Sequence, residues 1–210
     1  MPSARMQSRK TRAWQSDAEY IADQNANSTW STFDHGWGDA AARKFVSFGE
    51  RIDAEGDLFH DDKVADFGGN DGWAAYCFYL HHKIKPLVVD CEPKRLEYAA
   101  KHYKLPTLQA FIENMSELPD KSIDWGFTSH TMEHMREPEK ALREIARVVK
   151  QQCCFVVPLE DLHHARKNHA HAICFTKVGD WAKLLEANGW RVIVKNKAHK
   201  YEAHFIAEPA

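Results

Sequence analysis

From residue 63 onward, short apolar runs alternate with helix-length amphipathic stretches, a rhythm that signals βαβ units and a largely parallel sheet. The runs predict strands at Lys63–Phe67, Pro86–Cys91, Leu108–Ile112, Ile123–Ser129, Cys153–Pro158, Arg191–Val194 and Ala203–Ala207. Helices are predicted between them near 72–81, 93–103, 138–149 and 177–188. The pattern is clearest over 138–149, where Pro138 suits a first helical turn and Leu142, Ile145, Ala146 and Val149 form one apolar stripe. Glu139 with Arg143, and Lys140 with Glu144, stand at i,i+4 on its wet face. After the fifth strand the order becomes helix, strand, turn, strand, with polar Lys195–Lys200 between the last two strands, so a hairpin should add an antiparallel strand. Upstream, Ala41, Phe45, Phe48 and Ile52 recur at helical spacing, and residues 14–52 read as helical pieces around a loop over Asn25–Gly38. The expectation is a three-layer α/β sandwich on a mostly parallel seven-stranded sheet ending in an antiparallel hairpin strand.

At 210 residues one compact unit is favoured, with 1–62 as an N-terminal helical extension and 63–210 as the main domain. The extension carries Trp14, Trp30 and Trp37, surfaces suited to covering a pocket as well as to packing. The longest apolar run, Trp73–Leu80, is too short to span a bilayer, and 28 basic against 30 acidic side chains give no field toward nucleic acid or lipid. Neither a membrane nor a nucleic-acid partner is expected. Five cysteines without a C-x-x-C pair argue against a disulfide framework or cysteine-rich zinc site, and a reducing, cytoplasmic compartment is expected.

The chemistry concentrates in Val64-Ala-Asp-Phe-Gly-Gly-Asn-Asp-Gly72, a strand running into a glycine-rich turn at a helix start. Such a turn presents backbone N–H groups and lets a ligand approach closely. Asp90 and Glu92 end the next strand at about the 20-residue spacing from which a carboxylate reaches a ribose diol. A nucleoside-containing cofactor follows. A G-x-G-x-x-G dinucleotide fingerprint fails at Asn70 and Trp73, and no G-x-x-x-x-G-K-S/T loop occurs. What remains, Asp66-x-Gly68-x-Asn70-x-Gly72, suits a cofactor with a cationic amine and no phosphate to cradle.

With V-V-D-C-E-P (88–93), E-N-M-S-E-L-P (113–119), S-I-D-W-G-F-T-S-H-T-M-E-H-M (122–135) and E-P-E-K-A-L-R-E-I-A-R-V-V-K (137–150) following in order, the chain resembles the class I S-adenosylmethionine (SAM)-dependent methyltransferases of the type 11 group. The resemblance covers roughly residues 63 to 189 and implies a Rossmann-like fold with SAM as cofactor. It implies Asp66 and Gly68 near the methionine amine and carboxylate, with Gly69, Asn70 and Gly72 completing the turn. It further implies Asp90 on the ribose hydroxyls, Cys91 along the adenine face, Asn114 and Met115 at the adenine edge, and Thr128 and Ser129 near the sulfonium. Three positions depart from the family pattern. Asn70 replaces a glycine but tolerates left-handed backbone; Asn114 stands where aspartate is common; and Gln151-Gln152 replaces a glycine pair after the helix.

His130-Thr-Met-Glu133-His134 matches H-x-x-E-H, a zinc-peptidase signature when it lies on a helix. Here it follows a predicted strand, and the favoured reading is that Glu133 and His134 anchor the next helix by hydrogen bonds. A divalent cation on His130, Glu133 and His134, as held near this segment by some quinone-pathway O-methyltransferases that resemble it, is the minority alternative. His163, His164, His169 and His171 form a second cluster, read as a solvated loop. The resemblance puts the loop after the fifth strand beside the acceptor and makes His171, with His130, the candidate base for a hydroxyl acceptor.

The functional expectation is methyl transfer from SAM to a small-molecule acceptor at oxygen or nitrogen, by a monomer or homodimer, with the 1–62 extension as a lid over the acceptor pocket. The alternatives are a non-catalytic SAM-binding or partner-binding protein on the same fold and, behind it, a nucleic-acid or protein methyltransferase. Replacing Asp90 by alanine is expected to weaken cofactor binding sharply; an unchanged affinity in calorimetry would unseat the assignment of this site.

Overall fold

The computed structural model describes residues 16–27, 36–161, 163, 171–199 and 201–210. In chain order the elements are α1 (Asp17–Asn27), α2 (Gly36–Ala54), β1 (Val64–Phe67), α3 (Trp73–His82), β2 (Leu87–Asp90), α4 (Pro93–Tyr98), β3 (Thr107–Gln109), β4 (Ile123–Ser129), α5 (Pro138–Val148), β5 (Val149–Pro158), α6 (Val178–Glu186), β6 (Trp190–His199) and β7 (Glu202–Pro209). The seven strands form one sheet in the order β3-β2-β1-β4-β5-β7-β6. All pairings are parallel except those of β7, which runs antiparallel to both β5 and β6. The fold is the expected three-layer α/β sandwich.

Two apolar clusters account for the layers. Phe45, Phe48 and Ile52 of α2 and Ala74, Ala75 and Phe78 of α3 bury against Val64, Val88, Trp125, Phe127 and Val156 on one face of the sheet. Leu142, Ile145 and Val148 of α5 and Trp181, Leu184 and Leu185 of α6 bury against Ala65, Phe67, Val89, Phe155 and Phe205 on the other. Ile123 and Trp125 share a strand and an odd-number parity yet serve opposite faces, because the β4–β5 register shifts between them. α2 is thus a full member of a layer. Its Phe45 ring stacks on Phe127 at 4.3 Å and leans on Phe78 at 4.4 Å.

The differences from the sequence reading have local causes. α1 extends to Asn27 and α2 begins at Gly36, so both ends of the predicted Asn25–Gly38 loop are helical. β3 stops at Gln109 because the chain turns at once, Asn114 N–H donating to the Phe111 carbonyl at 2.8 Å, while Ala110 and Ile112 reach the core from the turn. Gln151 and Gln152 lie within β5, which starts at Val149 directly off α5; the Gln152 side chain accepts from Arg51 Nη1 at 3.0 Å. The predicted turn residues Lys195–His199 belong to β6. On α5, Arg143 reaches Asn188 and Glu144 pairs with Arg147, so these side chains serve tertiary contacts beyond the expected i,i+4 pattern.

Order reverses between β1 and β4, with β2 and then β3 beyond the first and β5 beyond the second, which opens a crevice at their carboxyl ends. Phe45→Ala removes the ring that holds α2 to both α3 and the sheet. It is expected to cost about 3–5 kcal/mol, read as a lower urea midpoint with unchanged m-value.

Candidate functional site

β1 feeds its chain into the crevice through Gly68, Asn70 and Gly72, all at positive φ (75°, 54° and 81°). A Cβ on Gly68 would lie 2.3 Å from Thr131 Cγ2, so the β1 turn and the β4 loop touch only because that atom is absent. Asn70 sits in the left-handed region as expected of asparagine, and the turn is intact. Its amides, however, do not point outward. Gly68 and Gly69 N–H both donate to the Val89 carbonyl (2.7 and 3.2 Å), Asn70 N–H to Asp90 Oδ2 (3.0 Å), Gly72 N–H to Gly69 O (2.9 Å) and Trp73 N–H to Asp71 Oδ1 (3.2 Å). The turn therefore offers a close-approach surface rather than the expected display of N–H groups, which fits a ligand without a phosphate at this point.

Asp66 lies under the turn with 3% of its surface exposed, and its Oδ2 is buried without a hydrogen-bond partner among the described residues. A Cβ on Gly69 would come within 2.9 Å of that atom. Burial, followed by the neighbouring charges of Asp90 and Asp71, pushes the Asp66 carboxyl up from 3.8 to about 8. An acid held neutral in a polar cleft, with one oxygen unsatisfied, is suited to a ligand cation that would ionise it.

Asp90 ends β2 and is also buried. Burial raises its pKa against the opposing pull of Arg95 and of the Glu92 and Asn70 N–H groups, which donate to Oδ1 and Oδ2 respectively at 3.0 Å. Burial and Asp90 together push the adjacent Cys91 thiol up to about 12, so it is a neutral, apolar wall. Tyr20 of α1 closes over this corner: it is 2% exposed, and burial, Cys91, Glu113 and Asp90 hold its phenol above the usual range. The Arg136 guanidinium lies 4.8 Å from the centroids of both the Tyr20 and Phe111 rings and bonds Asp17 at 2.6 Å, tying α1 to the sheet edge. Asn114 is exposed beside Phe111. Met115 is placed differently from Asn114: its side chain lies in the core, and its N–H is engaged by Glu144 at 3.0 Å.

Across the crevice, Thr128 and Ser129 end β4 with both hydroxyl oxygens buried and unpartnered among the described residues. His130 turns away at φ 52°, and residues 132–134 form a single 3₁₀ turn, so H-x-x-E-H does not lie on an α-helix. His130 Nε2 donates to Glu202 Oε2 at 2.9 Å, and Nδ1 stands 3.3 Å from Glu133 Oε1. Burial would lower its pKa, but the two carboxylates outweigh it and hold it at about 9. Burial likewise opposes ionisation of Glu133, yet His130 and His134 hold it down at about 2. Glu202 also takes Lys44 Nζ and His204 Nε2, each at 2.6 Å. His171 arrives from the loop after β5. Its Nδ1 bonds Glu160, its ring meets His134 edge-on with centroids 4.7 Å apart, and the next residue's N–H donates to the Glu133 carbonyl at 2.6 Å.

The structure thus brings Asp66, Gly68–Gly72, Asp90 and Cys91 together on one side of the switch point, and His130, Glu133, His134 and His171 on the other. His164 and His169, with Trp14 and Trp30, lie outside the described residues. Sequence reasoning missed Tyr20, Lys44, Arg136, Glu160, Glu202 and His204. Of these only Glu160 carried a signal, as a lone acid heading a histidine-rich loop; the others meet the site through long-range pairing.

Residues 65–157 match a family model described as a methyltransferase domain. No curated protein matches the chain in sequence. Among solved structures it is similar to the 4+2 cyclase SpnF, with 16% identity over 83% of this chain and 84% of that one and a TM-score of 0.68. It is similar to the magnesium protoporphyrin IX methyltransferase of Synechocystis PCC 6803, solved with bound SAH, at 12% identity over 90% and 94% of the chains and a TM-score of 0.65. It is also similar to a SAM-dependent methyltransferase from Aquifex aeolicus at 19% identity over 90% and 97%, with a TM-score of 0.60. At these identities the likeness speaks for the fold. No helix among the described residues is long and apolar enough to cross a membrane.

The Asp66 pKa carries a sign. Between about pH 4 and pH 8 the folded chain keeps a proton that the unfolded chain has released, so this group lowers stability as pH rises to about 8 and adds nothing further above it. A ligand ammonium needs the ionised form, so affinity for S-adenosylhomocysteine is expected to rise about tenfold per pH unit up to pH 8. Asp66→Asn should flatten that slope in calorimetry; a slope that survives the substitution would place the linked proton elsewhere.

Proposed function

We propose that the chain, whose residues 65–157 match a methyltransferase domain model, is a class I methyltransferase of the type 11 group that transfers the methyl group of SAM to a small-molecule acceptor at oxygen or nitrogen. The observation that carries the reading is the Asp66 Oδ2, buried and without a hydrogen-bond partner among the described residues, beneath a turn whose Gly68, Gly69, Asn70 and Gly72 amides are already engaged. That arrangement suits the ammonium of the methionine portion and suits a nucleotide phosphate poorly. The residues fit the cofactor elsewhere too. The glycine turn leaves a cradle that a Cβ would fill, Asp90 offers a carboxylate to the ribose hydroxyls, and Cys91 gives an apolar wall for the base. The adenine edge falls to Asn114, since the Met115 N–H is engaged by Glu144.

Bound SAM supplies a methyl already activated by its sulfonium. The protein's task is then alignment in a water-poor pocket. Thr128 and Ser129 present two unsatisfied hydroxyl oxygens at the end of β4, where the methyl-bearing end of the cofactor is expected. His130, with both ring nitrogens facing carboxylates, keeps its proton at neutral pH and serves as a positioning residue. The proton of a hydroxyl acceptor would leave through His171, whose imidazole is oriented and made more basic by Glu160. α1 serves as cover over the adenosine side, held by Tyr20 and Arg136, with residues 1–62 as the extension that carries it.

The same fold supports other chemistry, as the structural likeness to a 4+2 cyclase shows. Two measurements separate the readings. Calorimetry with SAM and S-adenosylhomocysteine is expected to give about one site per chain. Mass spectrometry after incubation with pooled hydroxylated and amino acceptors is expected to show an acceptor 14 mass units heavier, roughly one CH₂, together with S-adenosylhomocysteine. Binding without turnover across such pools would favour the non-catalytic reading, and a folded chain that binds neither compound would falsify the proposed cofactor site.

A further inference from the structure

Glu133 is fully buried, yet neither carboxylate oxygen has a hydrogen-bond partner among the described residues. The ring nitrogens nearest to Oε1 are His130 Nδ1, at 3.3 Å, and His134 Nε2, at 3.9 Å. Nearby Glu202 shows how this chain satisfies a buried acid when it has the groups to do so, with three contacts of 2.6 to 2.9 Å. A buried carboxylate without direct bonds is costly, and coordination to a cation is one of the few ways to relieve it. Glu133 also has the right company. One ligand atom each from Glu133, His134 and His171 lies within 4.8 Å of the others.

We propose that Glu133, His134 and His171 form a binding site for a zinc-type divalent cation, with a coordination position left open for an acceptor oxygen. Two imidazoles and one carboxylate favour zinc, cobalt or iron over magnesium or calcium, which prefer oxygen ligands. Three protein ligands leave a fourth position for water or substrate. Glu160 is the supporting group: by holding Nδ1 of His171 it fixes the tautomer, so that Nε2 is the nitrogen that ligates. Bonds of about 2.0–2.1 Å in a tetrahedron put ligand atoms about 3.4 Å apart, so binding would draw the set in from its present spacing of up to 4.8 Å. The set differs from an H-x-x-E-H helix site because its second histidine comes from the loop after β5. His130 lies outside the set, its two ring nitrogens facing the carboxylates of Glu133 and Glu202.

The ion and the acceptor's proton are alternative occupants of His171. In the ion-loaded protein an acceptor hydroxyl is activated by coordination, a consequence that rests on the methyl-transfer reading, whereas the site itself does not. The test is therefore binding. The full chain, stripped by chelator, is titrated with Zn²⁺, Co²⁺ and Mg²⁺ in calorimetry, and the Co²⁺ form is examined by visible absorption. One Zn²⁺ per chain is expected, Mg²⁺ should bind at least about 100-fold more weakly, and Co²⁺ should give the intense bands of a low-coordinate ion. His134→Ala and His171→Ala should each lower Zn²⁺ affinity by about tenfold or more, and Glu160→Gln by about 10- to 100-fold. Cooperative thermal unfolding of the stripped variants shows that they fold, independently of any SAM binding. The proposal is overturned if the folded wild-type chain does not bind Zn²⁺, or if binding is unchanged by His171→Ala and so belongs to other histidines. Zinc binding with no methyl transfer would leave the site standing and remove only the chemistry assigned to it.

Discussion

The close approach of two backbones at the carboxyl ends of β1 and β4 is the constraint on which the rest of this edge depends. Thr131 occupies the space a side chain at residue 68 would need, and its hydroxyl donates to the Ser129 carbonyl at 3.2 Å. With that contact made, the chain leaving β1 must pass through left-handed backbone at residues 68, 70 and 72, and two of the three are glycine for this reason. The turn then drops its amides onto Val89 and Asp90, which locks the end of β2 to the end of β1. The positions of Asp66, Asp90 and Cys91 follow from that lock. On the other side, the tight exit from β4 forces His130 into its own left-handed conformation and turns Glu133 inward.

Five of the buried carboxylates along this edge are accommodated in three ways, and the differences carry functional meaning. Asp66 avoids the cost of a buried charge by keeping its proton near neutral pH. Asp90 and Glu113 accept backbone N–H groups, Glu113 from Arg136 at 3.1 Å, and thereby pin loops. Glu133 and Glu202 are ionised beside cationic side chains, the second well below the ordinary carboxylate range once Lys44, His130 and His204 offset its burial. A carboxylate that is fully bonded, such as Glu202, organises its neighbours and has little left for a ligand. The unsatisfied oxygens of Asp66 and Glu133 mark the two places where this edge can still accept a cation.

What the sequence made legible was local: strand spacing, the glycine turn and the left-handed tolerance of Asn70 all follow from residue type and periodicity. The α5 stripe was equally plain, since Leu142, Ile145 and Val148 share one face. Gln151-Gln152 misled because a polar pair after a helix resembles a loop, whereas pairing with β4 draws Gln152 into β5 opposite Trp125. Leu108–Ile112 misled in the opposite sense, for Ala110 and Ile112 bury beneath a turn without being strand. The acidic and basic partners on Glu202, Lys44 and Tyr20 were invisible because each reaches the site from an element far away in sequence. No spacing rule links Lys44 on α2 to a glutamate at the start of β7.

The division between generic scaffold and specific loops also explains how far the fold can carry a functional argument. A sheet of this order places a crevice at the β1–β4 switch point whatever chemistry follows, and likeness to both methyltransferases and a cyclase is the natural result. The features peculiar to this chain sit one step outside that crevice. Arg136, between the Tyr20 and Phe111 rings, joins α1 to the turn after β3, while Ala172 and Ile173 N–H groups bind the loop after β5 to the Glu133 carbonyl. Both attachments converge on the five residues from Thr131 to Met135, since Tyr20 also donates to the His134 carbonyl at 3.3 Å. A displacement of that short turn therefore reaches the α1 contact and His134 and His171 together. Selectivity for an acceptor is accordingly to be sought in how these two loops settle on the turn, rather than in the sheet that supports it.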